Sequence, residues 1–160
     1  MLENVMCAFD PQSRYGIVNG FLPGPKRRRE EKRGREICLN FLDMVGLSDY
    51  TNESPANLPY GLQRKLEIAR ALTCNPKVLL LDEPAAGLNP TEVDELVNLI
   101  QKLSRDIGFA ILLIEHRLDL VMSISMIIHV MNFGKKIAMG VPEEVRNNPD
   151  VIEAYLGKEE

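Results

Sequence analysis

The sequence predicts an α/β fold, a parallel sheet flanked by helices, preceded by a helical N-terminal portion. Three observations on this 160-residue chain carry that prediction. Residues 78–81 and 109–114 are short continuous apolar runs bounded by turn-forming or acidic residues, the pattern of strands buried on both faces. Between them, from Pro90 to about Asp106, apolar residues recur at helical spacing, so strand, helix and strand alternate. Before residue 75 the patterns are helical only.

Taken in order, residues 1–25 carry Pro11, Gly16, Gly20, Pro23, Gly24 and Pro25, which predicts a short helix and then a loop. Residues 26–36 hold seven basic and three acidic side chains, read as a solvated helix face with mixed-sign pairs. Ile37, Leu39, Phe41, Leu42, Met44 and Val45 continue that helix, and Gly46 is placed to cap it. A loop follows to Pro59. A second helix runs from Gly61 to about Cys74 with Leu62, Leu66, Ile68, Ala69, Ala71 and Leu72 on its apolar side, ended by Asn75-Pro76. Pro90 sits in the first turn of the long helix, where Thr91, Glu92 and Asp94 suit the positive end of its dipole. Residues 126–131 and 136–139 read as strands of a hairpin around Asn132-Phe133-Gly134-Lys135, followed by short helices near 143–147 and 150–156.

Composition excludes several classes. Apolar content of 45% and charged content of 26% are ordinary for a globular domain. A net charge of −4 argues against a polyanion-binding surface, and no aromatic residue stands in the basic stretch to stack a base, so no nucleic-acid partner is expected. No window approaches the ~18 continuous apolar residues of a membrane span, and the N-terminus lacks a signal-peptide pattern. Cys7, Cys38 and Cys74 fit neither a zinc pattern nor a disulfide framework and read as reduced cytosolic thiols.

Two constellations carry chemistry. The apolar strand ending in Asp82-Glu83 presents adjacent carboxylates expected to face opposite sides and so to play separate roles. In a nucleotide hydrolase the first supports Mg²⁺, usually through water, and the second orients and deprotonates the attacking water. The turn Leu58-Pro59-Tyr60-Gly61-Leu62-Gln63-Arg64 opens a helix, whose first N–H groups and dipole suit an anion.

In this order and spacing, the two resemble the signature and Walker B motifs of the ABC-type ATPases. Leu58, Gly61, Gln63 and Arg64 match the signature pattern. His116, just past the second apolar strand, matches the family's switch histidine, and residues 86–89, ending in Asn89, occupy the D-loop position. Residues 82–90, Ile114-Glu115-His116 and residues 146–157 look more narrowly like the ATPase subunit of branched-chain amino-acid importers. The resemblance therefore implies a P-loop NTPase-like core. Residues 1–75 would form a helical signature subdomain, and residues 76–160 part of the RecA-like ATPase core with C-terminal helices. It implies ATP and Mg²⁺ as cofactors, Glu83 and His116 as catalytic residues, and Asp82 as the metal carboxylate. Tyr60, Gly61, Leu62, Gln63 and Asn89 would meet nucleotide, with Asp82, Glu83 and His116 converging at the sheet rim. The implied partners are a second ATPase subunit and transmembrane permease subunits that hold the chain at the cytoplasmic face of the membrane.

Departures from the family pattern are equally specific. Pro59 stands where the family carries the Ser hydroxyl that touches phosphate, and Tyr60 replaces a Gly, so anion contact must lean on the N–H groups of Tyr60, Gly61 and Leu62. Asn89 and Arg117 each stand where an Asp is common. The phosphate loop G-x-x-x-x-G-K-[ST] is absent from the sequence. The resemblance thus implies an N-terminally truncated subunit that is inactive alone. Residues 110–115 and 126–131 would lack the strand that lies between them in the family fold. The alternative is a non-catalytic remnant that acts only as a partner-binding module. An ABC-type ATPase acting on DNA or ribosomes is disfavoured, because no coiled-coil insertion, second ATPase half or basic extension is present.

Overall fold

Three helices pack against one another at the start of the chain. They are α1 (Leu2–Phe9), α2 (Pro25–Met44) and α3 (Tyr60–Thr73), in a computed structural model that describes residues 1–9 and 24–156. α1 buries Leu2, Val5 and Phe9 at three- and four-residue spacing. α2 buries Gly34, Cys38 and Leu42 on one stripe, and α3 buries Leu66, Ala69 and Leu72. Gly34 permits the close approach of α1, since a Cβ there would lie 2.6 Å from the ring of Phe9. The expected loop through Pro11, Gly16, Gly20 and Pro23 lies outside the described residues.

The charged stretch at the head of α2 has the predicted character. Arg27 pairs with Glu31 at 2.6 Å, Arg33 with Glu30 at 3.2 Å and Lys32 with Glu36 at 4.0 Å. These helix-surface pairs stabilise little individually. At the other end Gly46 adopts φ +75°, its N–H donates to Asp43 O at 2.9 Å, and the Leu47 N–H donates to Leu42 O at 2.7 Å. That pair of bonds is a Schellman cap, and Leu47 is buried behind it.

A strand–helix–strand unit follows: β1 (Val78–Asp82), α4 (Pro90–Ile107) and β2 (Ala110–Ile114), with β1 and β2 neighbours in a two-stranded sheet. α4 buries Val93, Leu96, Leu99, Ile100 and Leu103. Its start is fixed by a capping box in which Asn89 Oδ1 accepts from the Glu92 N–H at 3.0 Å and Glu92 Oε2 accepts from the Asn89 N–H at 2.9 Å. Gly108, at φ +74°, ends it.

The strands lie where their apolar runs predict, but burial on both faces does not follow. Leu79 is buried, whereas Val78 and Leu80 on the opposite face are 52% and 69% exposed. On β2, Leu112 and Ile114 are each 57% exposed. A continuous apolar strand covered on one side only has no second sheet neighbour or packed layer among the described residues.

The chain divides into two units, Met1–Leu112 and Leu113–Glu160. The second contains α5 (Leu118–Ile124), the antiparallel pair β3 (Ile128–Asn132) and β4 (Lys135–Gly140), α6 (Pro142–Arg146) and α7 (Pro149–Leu156). Phe133 and Gly134, at φ +45° and +75°, make the two-residue turn with left-handed backbone that the hairpin sequence predicts. Ile128, Val130, Ala138, Val145 and Val151 form this unit's core. β3 starts later than expected, at Ile128, leaving Met126 and Ile127 exposed. Cys7, Cys38 and Cys74 form no disulfide, and no described helix is long and apolar enough to cross a membrane.

Two stability outcomes follow. Gly34→Ala would ordinarily favour a helix by up to about 1 kcal/mol, but the buried Phe9 ring must shift, at a cost of about 1–3 kcal/mol. Urea unfolding is expected to show net destabilisation. Asn89→Ala removes one half of the capping box and is expected to cost about 1 kcal/mol in the same assay.

Candidate functional site

The end of β1 supplies two carboxylates in different backbone states. Asp82 is the last residue of the strand and is exposed, and none of the described residues pairs with its carboxylate. Glu83 has left the strand and lies at φ +43°, a left-handed conformation that a glutamate adopts at a cost. The alternation of strand faces therefore places Asp82, while the turn aims Glu83. Behind it the loop is held by two short bonds, Ala86 N–H to Glu83 O at 3.0 Å and Leu88 N–H to Ala85 O at 3.2 Å. Gly87, at φ +76°, supplies the second left-handed residue of the loop.

The N-terminal turn of α3 has no side-chain cap, because its N-cap residue is Pro59. The Leu62 N–H donates to Pro59 O at 3.0 Å and the Gln63 N–H to the same oxygen at 3.1 Å. The N–H groups of Tyr60 and Gly61 have no acceptor among the described residues. The donor set expected from the sequence is thus narrower by one: Leu62 already has a partner. Gln63 turns its amide back, donating from Nε2 to Leu58 O at 2.9 Å, and so braces the turn.

This turn is wedged against the loop after Glu83 and the start of α4. A Cβ on Gly61 would lie 2.7 Å from Glu92 Oε1, and one on Gly87 would lie 3.1 Å from the edge of the Tyr60 ring. Lys65 reaches across from α3 to Glu95 on α4 at 2.6 Å. A cavity of ≈ 200 Å³ remains in this seam, bordered by Arg64, Lys65, Leu88 and Leu96. The Arg64 guanidinium stacks over Tyr60, 4.9 Å from the ring centroid, donates to the Tyr60 hydroxyl, and pairs with Glu67 at 2.8 Å. The Glu67 carboxylate, accepting that hydrogen bond, holds Arg64 above the usual guanidinium value.

Tyr60, Gly61, Leu62, Gln63 and Asn89 are therefore gathered on one seam, with Asn89 serving as the N-cap of α4. Sequence reasoning found the turn but missed the ring contact to Gly87 and the Lys65–Glu95 bridge. Tyr60 and Arg64, four apart on a helix, were the available signal for the stacked pair. His116 belongs to the second unit, just past β2; its side chain is 67% exposed and its Nδ1 lies 3.9 Å from Oε2 of the buried Glu115. No cluster of three metal-ligating side chains occurs among the described residues. Asp82 suits a hydrated Mg²⁺, which takes few protein ligands and keeps several waters.

The family model for ABC transporters matches residues 4–86, just over half of the chain. That for the branched-chain amino acid ATP-binding cassette transporter matches residues 135–160. The high-affinity branched-chain amino acid transport ATP-binding protein LivG of Salmonella typhimurium is 47% identical over 158 residues, covering 99% of this chain and 62% of that protein. BraF of Pseudomonas aeruginosa, described in the same words, is 46% identical over 157 residues, covering 98% and 62%. A solved ATP-binding cassette of an ABC transporter, in its ADP conformation, superposes with a TM-score of 0.76 at 29% identity, covering 98% of this chain and 62% of its own. The chain spans about three fifths of the length of these relatives. The chain belongs to the ABC transporter family.

Proposed function

We propose that this chain is part of an ATP-binding and ATP-hydrolysing subunit that energises a membrane importer, with branched-chain amino acids as the transported class. The observation that carries the reading is the 47% identity to LivG over 99% of the chain, which includes a strand ending in an exposed Asp82 and a helix start at Tyr60 and Gly61 without a side-chain cap. Residues 1–75 act as the signature subdomain and residues 76–160 as part of the ATPase core. The subunit pairs with a second ATPase subunit and sits on transmembrane permease subunits at the cytoplasmic face of the membrane.

In this reading each residue has one task. Asp82 would hold the hydration shell of Mg²⁺, which when bound would supply positive charge to offset that developing on the phosphate oxygens. Glu83, fixed by its left-handed backbone, orients and deprotonates the attacking water. His116 donates a hydrogen bond to the terminal phosphate. The N–H groups of Tyr60 and Gly61, at the positive end of α3, face the phosphate held by the partner subunit. Leu62 and Gln63 shape that turn, and Asn89 anchors the loop between it and Glu83.

The second reading is a module that docks on partner subunits and hydrolyses nothing. A chimera separates the two: the part of Salmonella LivG that this chain does not span is fused ahead of Met1 to supply a phosphate loop. The expected result is MgATP turnover, lowered by about 10²–10⁴-fold in Glu83→Gln with nucleotide binding retained. A chimera that binds MgATP with turnover unaffected by Glu83→Gln would contradict the role given to Glu83. One with no affinity for MgATP would favour the docking module.

A further inference from the structure

Tyr60 occupies a position where the family pattern carries glycine, and the structure gives its ring a specific place. The ring edge lies against Gly87, whose positive φ and lack of a Cβ leave only enough room for it. Its face is covered by the Arg64 guanidinium, itself anchored to Glu67, so the ring is held from α3 on one side and meets the loop on the other. The loop it touches begins at the left-handed Glu83 and ends at the Asn89 cap. The backbone N–H of the same tyrosine is one of the two open donors at the start of α3.

One residue therefore joins the anion-facing turn to the loop that carries the water-activating carboxylate. Building on the function proposed above, we propose that Tyr60 is a positioning residue: its ring locks residues 83–89 to the first turn of α3, so that an anion seated on that turn fixes the backbone of Glu83. A glycine there would leave both segments free to move separately. The lock acts through packing, so its removal should leave the backbone donor in place while loosening the loop.

Amide hydrogen exchange on the 160-residue chain tests the lock without any nucleotide, so its outcome is independent of whether the chain hydrolyses ATP. Exchange at Ala86 and Leu88, whose N–H groups hold the loop closed, is expected to quicken about tenfold in Tyr60→Ala, with the amides near Leu42 unchanged. Tyr60→Phe keeps the ring and should retain the slow exchange. Unchanged exchange in Tyr60→Ala, or a rise shared equally by the Leu42 region, would overturn the lock. In the LivG chimera, Tyr60→Ala should lower kcat about tenfold with KM for ATP altered less than about twofold, because the N–H donor survives in alanine. A change confined to KM would overturn the positioning role.

Discussion

The backbone at Gly61 comes so near the Glu92 carboxylate that a Cβ there would lie 2.7 Å from Oε1 and oblige that carboxylate to shift. Much of the arrangement around the candidate site depends on that approach. Glu92 is already committed, since it closes the capping box with Asn89 and thereby fixes where α4 begins. Pressing the first turn of α3 onto it aligns Tyr60 with Gly87 and Lys65 with Glu95. A partly buried lysine and a helix cap thus hold together two segments whose contacting residues lie about thirty apart in the sequence.

The consequence for chemistry lies in Glu83. A glutamate with positive φ is unfavourable unless its surroundings impose it. Here they do so through the bonds at Ala86 and Leu88, and through the Asn89 cap that ends the loop. An exposed carboxylate on a strained backbone, next to an Asp82 that pairs with none of the described residues, suits the proposed role of activating water beside a hydrated cation. The open donors at Tyr60 and Gly61 follow from a different cause, the presence of proline at the N-cap, which contributes no side-chain acceptor to close them.

Much of this was legible in the residues. The periods of α2, α3 and α4, the Gly46 end, and the Phe133-Gly134 turn follow from local pattern and backbone preference, which act over a few residues. The burial of β1 and β2 was not legible, because an apolar run records what a strand is made to face. Leu80 and Leu112 are apolar on both accounts yet stand exposed, since no described element covers that side. The sequence leaves the Leu62 N–H open, whereas the first turn of α3 uses it, a detail set by whether Pro59 O turns inward. By sequence Tyr60 is a departure that supplies only backbone; its ring acquires a role from Gly87, distant in sequence, which no helical spacing reveals.

The most direct test of this seam is a double-mutant cycle between Gly61→Ala and Glu92→Ala, read by urea unfolding. Gly61→Ala alone should destabilise the chain by about 1 kcal/mol, because its new methyl group displaces the Glu92 carboxylate that accepts from the Asn89 N–H in the capping box. In the Glu92→Ala background that cost should largely vanish, giving a coupling of about 1 kcal/mol. Strictly additive effects would show that the two helices do not press on each other there, and would contradict the role assigned to the seam.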